Sequence, residues 1–187
     1  MKHVWQAAVF AGALMTLSGC FMSTTALIAP GAAVLPVDGD MVACLQQDDP
    51  CIPLERAGDG YFAESPGEFE EGVTLRFAPL AQAGGKQIFI AEAELEADEG
   101  PAFAYGLARR LAEPDARGAT LQVAPLDCED ADDALIDQFR SEGGEVEDGK
   151  LLACMPVSLE QLSVLILAVH GADIESDAWW AERGEEF

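Results

Sequence analysis

The residues with the chemistry to act on a substrate are carboxylates, and there is one histidine to assist them in the body of the chain. Glu92 and Glu94 fall two apart in an alternating stretch, which sets both on one strand face. A pair of carboxylates is the apparatus of glycoside hydrolysis, one acting as acid and the other as base or nucleophile. The run Asp127-Cys128-Glu129-Asp130-Ala131-Asp132-Asp133 gathers the oxygen ligands that calcium prefers. It lacks the glycine and distal glutamate of an EF-hand loop, and it reads more simply as the acidic start of a helix. His170 ends an apolar helical stretch, where the helix dipole favours an imidazolium. No G-x-S-x-G is present, and Gly84-Gly85-Lys86 lacks the spacing of a phosphate loop. With 34 acidic residues in the chain, paired carboxylates are expected by number alone, so no catalytic residue, cofactor or metal ligand is assigned.

The N-terminus carries the most specific signal. Lys2 is followed by an uncharged apolar run, Val4 to Leu17, of signal-peptide length and too short to span a bilayer comfortably. It closes on Leu17-Ser18-Gly19-Cys20, which resembles the lipobox of bacterial lipoproteins. The resemblance implies diacylation of the Cys20 thiol, cleavage after Gly19 and acylation of the new amine. Several acyl chains on one residue give stable anchoring, where one chain gives marginal binding. Phe21 stands where an aspartate would imply retention in the inner membrane, so the resemblance implies the outer membrane, with the domain facing the periplasm.

An exported domain is oxidised, and four cysteines remain after Cys20: Cys44, Cys51, Cys128 and Cys154. Three pairings are possible. Cys44–Cys51 closing a small loop and Cys128–Cys154 closing a larger one is the favoured arrangement. Zinc is the weaker alternative, since no C-x-x-C pair is present.

Charge narrows the partners. The leader takes one of the ten basic residues and none of the acidic ones, leaving a net −25 over residues 20–187. Such a field repels phosphate backbones and excludes nucleic acid, while attracting cationic proteins. Trp179-Trp180, amid acids near the C-terminus, is a candidate docking segment for an envelope partner.

The elements that must position these residues follow from period and punctuation. Residues 1–19 are a leader, and residues 20–40, rich in small residues and broken by Pro30, Gly31 and Pro36, read as lipid anchor and tether. Residues 41–187 read as one domain. Short alternating runs separated by Gly58-Asp59-Gly60 and Gly84-Gly85 predict strands and hairpins. Ala102–Leu111 fits either strand or helix and is assigned to a hairpin with Ala119–Ala124. Helices are expected after Asp133, stopped by Gly143-Gly144, and over Leu159–His170, capped by Ser158 and Gln161. The expected fold is α+β: a curved antiparallel sheet of about six to eight short strands, with one or two C-terminal helices packed on it and two disulfides. The function that fits is a lipid-anchored envelope module, binding or structural rather than enzymatic. Capture of a cationic protein such as lysozyme, and carboxylate-based action on glycan or peptidoglycan, are the alternatives.

Overall fold

The computed structural model describes residues 21–44, 52–64, 72–97, 100–111, 113, 120–148 and 152–183. Ten strands lie among them: β1 (Phe21–Ser23), β2 (Met41–Cys44), β3 (Ile52–Ala57), β4 (Gly60–Ala63), β5 (Val73–Ala83), β6 (Lys86–Ala97), β7 (Gly100–Arg110), β8 (Leu121–Pro125), β9 (Glu145–Asp148) and β10 (Leu152–Met155). Three α-helices follow or interrupt the late strands: α1 (Asp133–Ser141), α2 (Leu159–His170) and α3 (Asp177–Arg183). The α+β class holds. The strands are more numerous than expected, and the central three are long, at 11, 12 and 11 residues for β5, β6 and β7.

Their length has local causes. Gly84 and Gly85 both take positive φ (57° and 78°), the conformation of a two-residue hairpin turn whose twist matches its strands. The β5–β6 ladder then runs from Ala83↔Lys86 to Thr74↔Glu94. It passes Pro79 by a register shift between Pro79 and Ala81, which accommodates the missing amide donor. Of Ala102–Leu111, all but Leu111 falls in β7, as the hairpin assignment requires, and the strand pairs with β8 through Arg110↔Leu121 to Gly106↔Pro125.

The sheet runs β6-β5-β4-β3-β2-β8-β7-β1-β10-β9, and an additional β6–β7 pairing joins the ends of its first seven strands. Strands β1, β10 and β9 extend beyond that join as an open flank. The sheet is mixed rather than antiparallel, because β2–β8 and β1–β10 are parallel. Parallel partners need long crossovers, and here the crossovers are most of the chain.

Two cores result. Inside the seven joined strands lie Met41, Leu54, Tyr61, Phe77, Phe89 and Leu121, with Tyr61–Phe77 and Phe77–Phe89 in edge-to-face contact at 5.9 and 6.5 Å. Outside, Ile88, Ile90 and Leu107 meet Phe139 of α1, Leu162, Leu165 and Ile166 of α2, and Trp180 of α3. Each such large side chain contributes about 1.5–3 kcal/mol by leaving water. The helices begin as expected. Asp132 accepts the Leu135 amide at 2.8 Å, and Ser158 accepts that of Gln161 at 3.1 Å. Gln161 reaches back one residue further than a capping box would, to the Val157 amide at 3.0 Å.

Residues 21–40 are not a free tether. Phe21–Ser23 is a strand inside the sheet, flanked by β7 and β10. Phe21 and Ile28 are fully buried. Val34 donates its amide to the Phe77 carbonyl at 2.8 Å, and the Tyr61 hydroxyl donates to the Val37 carbonyl at 2.5 Å. The few apolar residues of this stretch suffice to bury it, even though no period marks it as an element.

Candidate functional site

Cys128 sits in a 3-10 turn after β8, and Cys154 lies on β10. Their α-carbons are 5.9 Å apart and the disulfide joins them, as the favoured pairing requires. The bond ties the start of the helical half to the strand that flanks Phe21, since Phe21 is in register with Cys154. Cys20, and the Cys44–Cys51 pairing through Cys51, lie outside the described residues.

Glu92 is the most elaborately held ionisable group in the described structure. The registers Arg76↔Glu92 and Glu92↔Tyr105 place an arginine and a tyrosine on either side of it, on the outer face of β5, β6 and β7. Its Oε2 accepts the backbone amides of Leu27 and Ile28 at 2.7 and 3.0 Å and lies 3.2 Å from the Tyr105 hydroxyl. Arg76 Nη1 is 3.5 Å from Oε1 and 3.3 Å from Glu94 Oε2. Ser23 Oγ completes the cluster, 2.7 Å from the Tyr105 hydroxyl. Burial holds the Tyr105 phenol well above its ordinary range, and the neighbouring Glu92 carboxylate adds to the rise while the Ser23 hydrogen bond opposes it.

The arrangement fastens backbone rather than opening to a substrate. Glu92 is fully buried under residues 27–28, while Glu94 is half-exposed. An acid at position 92 is therefore the last covered residue of the Ile88-Ile90-Glu92 face, and the strand emerges into water only at Glu94. The alternation in sequence carries no signal for the chain segment that lies over Glu92.

The acidic run 127–133 does not converge. Asp127 accepts the Glu129 amide, Asp132 caps α1, and Glu129 Oε1 accepts the Leu152 amide at 3.3 Å. Asp130 instead approaches His170, whose Nε2 is 3.9 Å away, while Asp173 lies 3.6 Å from Nδ1. His170 is thus buried at the end of α2 between two carboxylates and against the Trp179 ring, 5.7 Å off.

The tryptophan pair packs on the chain's own core. Trp180 is fully buried, donates Nε1–H to the Ile174 carbonyl at 3.0 Å and accepts from Gln122 Nε2 at 2.9 Å through its own carbonyl. Trp179 is partly buried and packs edge-on to it, with centroids 5.2 Å apart. Asp177, at the start of the same helix, binds the Arg109 guanidinium and Lys86 Nζ, the latter at 2.6 Å. Those two cations, Lys86 first, hold its carboxyl below the usual aspartate range. Arg109, buried in an apolar strand, is the residue that sequence reasoning missed. Its one visible sign is a charge at an alternating position where apolar side chains surround it.

A surface apolar strip remains. Leu135 and Phe139 of α1 face Val164 and Leu165 of α2 across a shallow groove that also takes in Glu142. Val157, Val164 and Leu167 are exposed at 60, 50 and 41%. Helix α2 is therefore covered on one side and leaves apolar side chains at the surface on the other. Among the described residues no helix is long and apolar enough to cross a membrane. No protein-family model, curated protein or solved structure matches the chain.

Proposed function

We propose that the chain is an exported lipoprotein, acylated at Cys20 and held at the outer membrane, whose periplasmic domain is a binding or structural module. The observation that carries this reading is the coincidence of two independent features. The Leu17-Ser18-Gly19-Cys20 motif closes a signal-length apolar run, and Cys128–Cys154 is a bond suited to an oxidising compartment. Intact-mass analysis of the protein from its own envelope tests it. The expected result is loss of residues 1–19 and an acyl mass confined to the Cys20 peptide. A chain that retains its leader, or an unmodified Cys20, overturns the reading.

Capture of a cationic protein is the second reading, favoured by the exposed strip of α2. Val164 and Leu167 lie beside exposed Glu160 and Glu142, an apolar centre with an acidic rim and no basic residue lining the groove. Such a surface suits an amphipathic partner with positive charge. Titration with lysozyme at low and moderate salt checks this. Binding that weakens with salt and is reduced by Val164→Asp supports it, and no binding at low salt removes it.

A further inference from the structure

The groove between α1 and α2 sorts its apolar and charged parts. Leu135 and Phe139 of α1 and Val164 and Leu165 of α2 line it, with Gln161 among them. The buried Gln161 side chain accepts the Val157 amide at 3.0 Å and donates to the Phe139 carbonyl at 3.1 Å, so this polar group already bridges the two helices. Glu160, Val164 and Leu167 fall at i, i+4 and i+7, all on the exposed side of α2. Glu142, the C-cap of α1, supplies a carboxylate at the groove's other edge. The turn that follows it reaches Val157: a β-carbon placed on Gly143 would lie 4.0 Å from that side chain. The exposed Val157 thus sits beside the last turn of α1, where the helix dipole is negative.

We infer that this groove receives a basic amphipathic helix of about three turns, laid along α2 with its apolar stripe inward. The inference rests on the reading of cationic capture given above and deepens it by naming the form of the partner. Two packed helices present ridges three and four residues apart, and a third helix is the element whose own ridges fit between them. From Glu160 to Leu167 the strip runs about 10 Å along α2, and Val157 extends it beyond the N-cap. The occupant's apolar stripe meets Val157, Val164 and Leu167, while Lys or Arg on its flanks meets Glu160 and Glu142. The same charges disfavour a second copy of this chain, which would set those carboxylates against their own kind in an already strongly acidic molecule.

Two fluorescent peptides of identical composition test this, each of about fourteen Leu, Lys and Ala residues. One sets Leu at i, i+3, i+4 and i+7 with Lys on the flanks, and the other is scrambled so that the stripe is lost. Anisotropy titrations against the full chain are run at low and moderate salt. The striped peptide is expected to bind at least about tenfold more tightly than the scrambled one. Val164→Asp adds a negative charge, so attraction by charge alone would grow, whereas seating in the groove should weaken about tenfold. Ala57→Asp, the same charge change at an exposed site on β3, should not weaken it. Glu142→Gln with Glu160→Gln should weaken binding about threefold and flatten its salt dependence, without touching an apolar contact. Equal affinity for the two peptides, or a Val164→Asp chain that binds the striped one as well as the native chain does, overturns the groove and leaves cationic capture standing. Failure of both peptides to bind at low salt overturns both readings. A native dimer that Val164→Asp returns to monomer, read by sedimentation, assigns the strip to a second copy and overturns the inference.

Discussion

The Arg109 guanidinium lies 4.8 Å over the Trp180 ring, and both side chains are buried. Arg109 also donates Nε–H to Gln122 at 2.9 Å and binds Asp177, so one buried cation organises β7, β8 and α3. A cation stacked on an indole and removed from water contributes on the order of 1–2 kcal/mol.

Trp180→Ala should therefore cost about 3–5 kcal/mol, because a large buried ring leaves a cavity behind and the guanidinium loses the ring it stacks on. Trp179→Ala, at a partly buried ring, should cost much less. Urea unfolding of the two variants checks the order, and equal losses would show that the pair does not divide into a buried and a covering member.

Acid should weaken the α3 anchorage. Asp177 has a lowered carboxyl pKa through Lys86 and Arg109. A group whose folded pKa is depressed stabilises above its unfolded value, near 3.9 for aspartate, and that contribution is lost as pH falls through the folded value. Asp177→Asn should be less stable than the native protein at neutral pH, with the gap closing below about pH 4. Thermal melts across that window read the effect, and a gap that persists at low pH would assign the loss to something other than charge. The carboxylate is exposed at the surface, so solvent and salt screen the pair.

Glu92 is expected to be the more severe site. Glu92→Ala removes the oxygen that two backbone N–H groups and the Tyr105 hydroxyl meet. A loss of about 2–4 kcal/mol follows from the unpaired donors. Amide exchange at Leu27 and Ile28 should rise faster than exchange in β5 and β6, and unchanged exchange there would remove Glu92 from its role as a latch.

Alkali acts on the same cluster through Tyr105. Its phenol pKa is raised by burial, so the neutral form is the folded one. Stability is complete below the unfolded value, near 10, and falls as pH rises past it. Tyr105→Phe should flatten that alkaline decline while lowering stability near neutrality by about 1 kcal/mol. A decline as steep as that of the native protein would place its origin elsewhere.

Removing the disulfide as Cys128→Ala with Cys154→Ala should cost about 3 kcal/mol, as expected for a closure over 26 residues of separation. The denaturation midpoint under non-reducing conditions measures this directly.

Much of the chain was legible because its signals are local. The Gly84-Gly85 turn, the alternation of β5 and β6, the Asp132 and Ser158 caps and the Gly143-Gly144 stop depend on neighbours within a few residues. The acylation motif is likewise written in four consecutive residues, and the Cys128–Cys154 bond was one of three pairings set by count alone. What alternation could not convey was which strand stands beside which. The β6–β7 join, the parallel placing of β1 against β10 and the burial of Phe21 and Ile28 rest on partners up to 133 positions apart, as in Phe21↔Cys154. Tertiary structure likewise decided that Glu92 faces backbone amides and that Trp180 faces Arg109. An isolated glutamate or tryptophan in sequence specifies only what it could satisfy, and the folded neighbours decide what satisfies it.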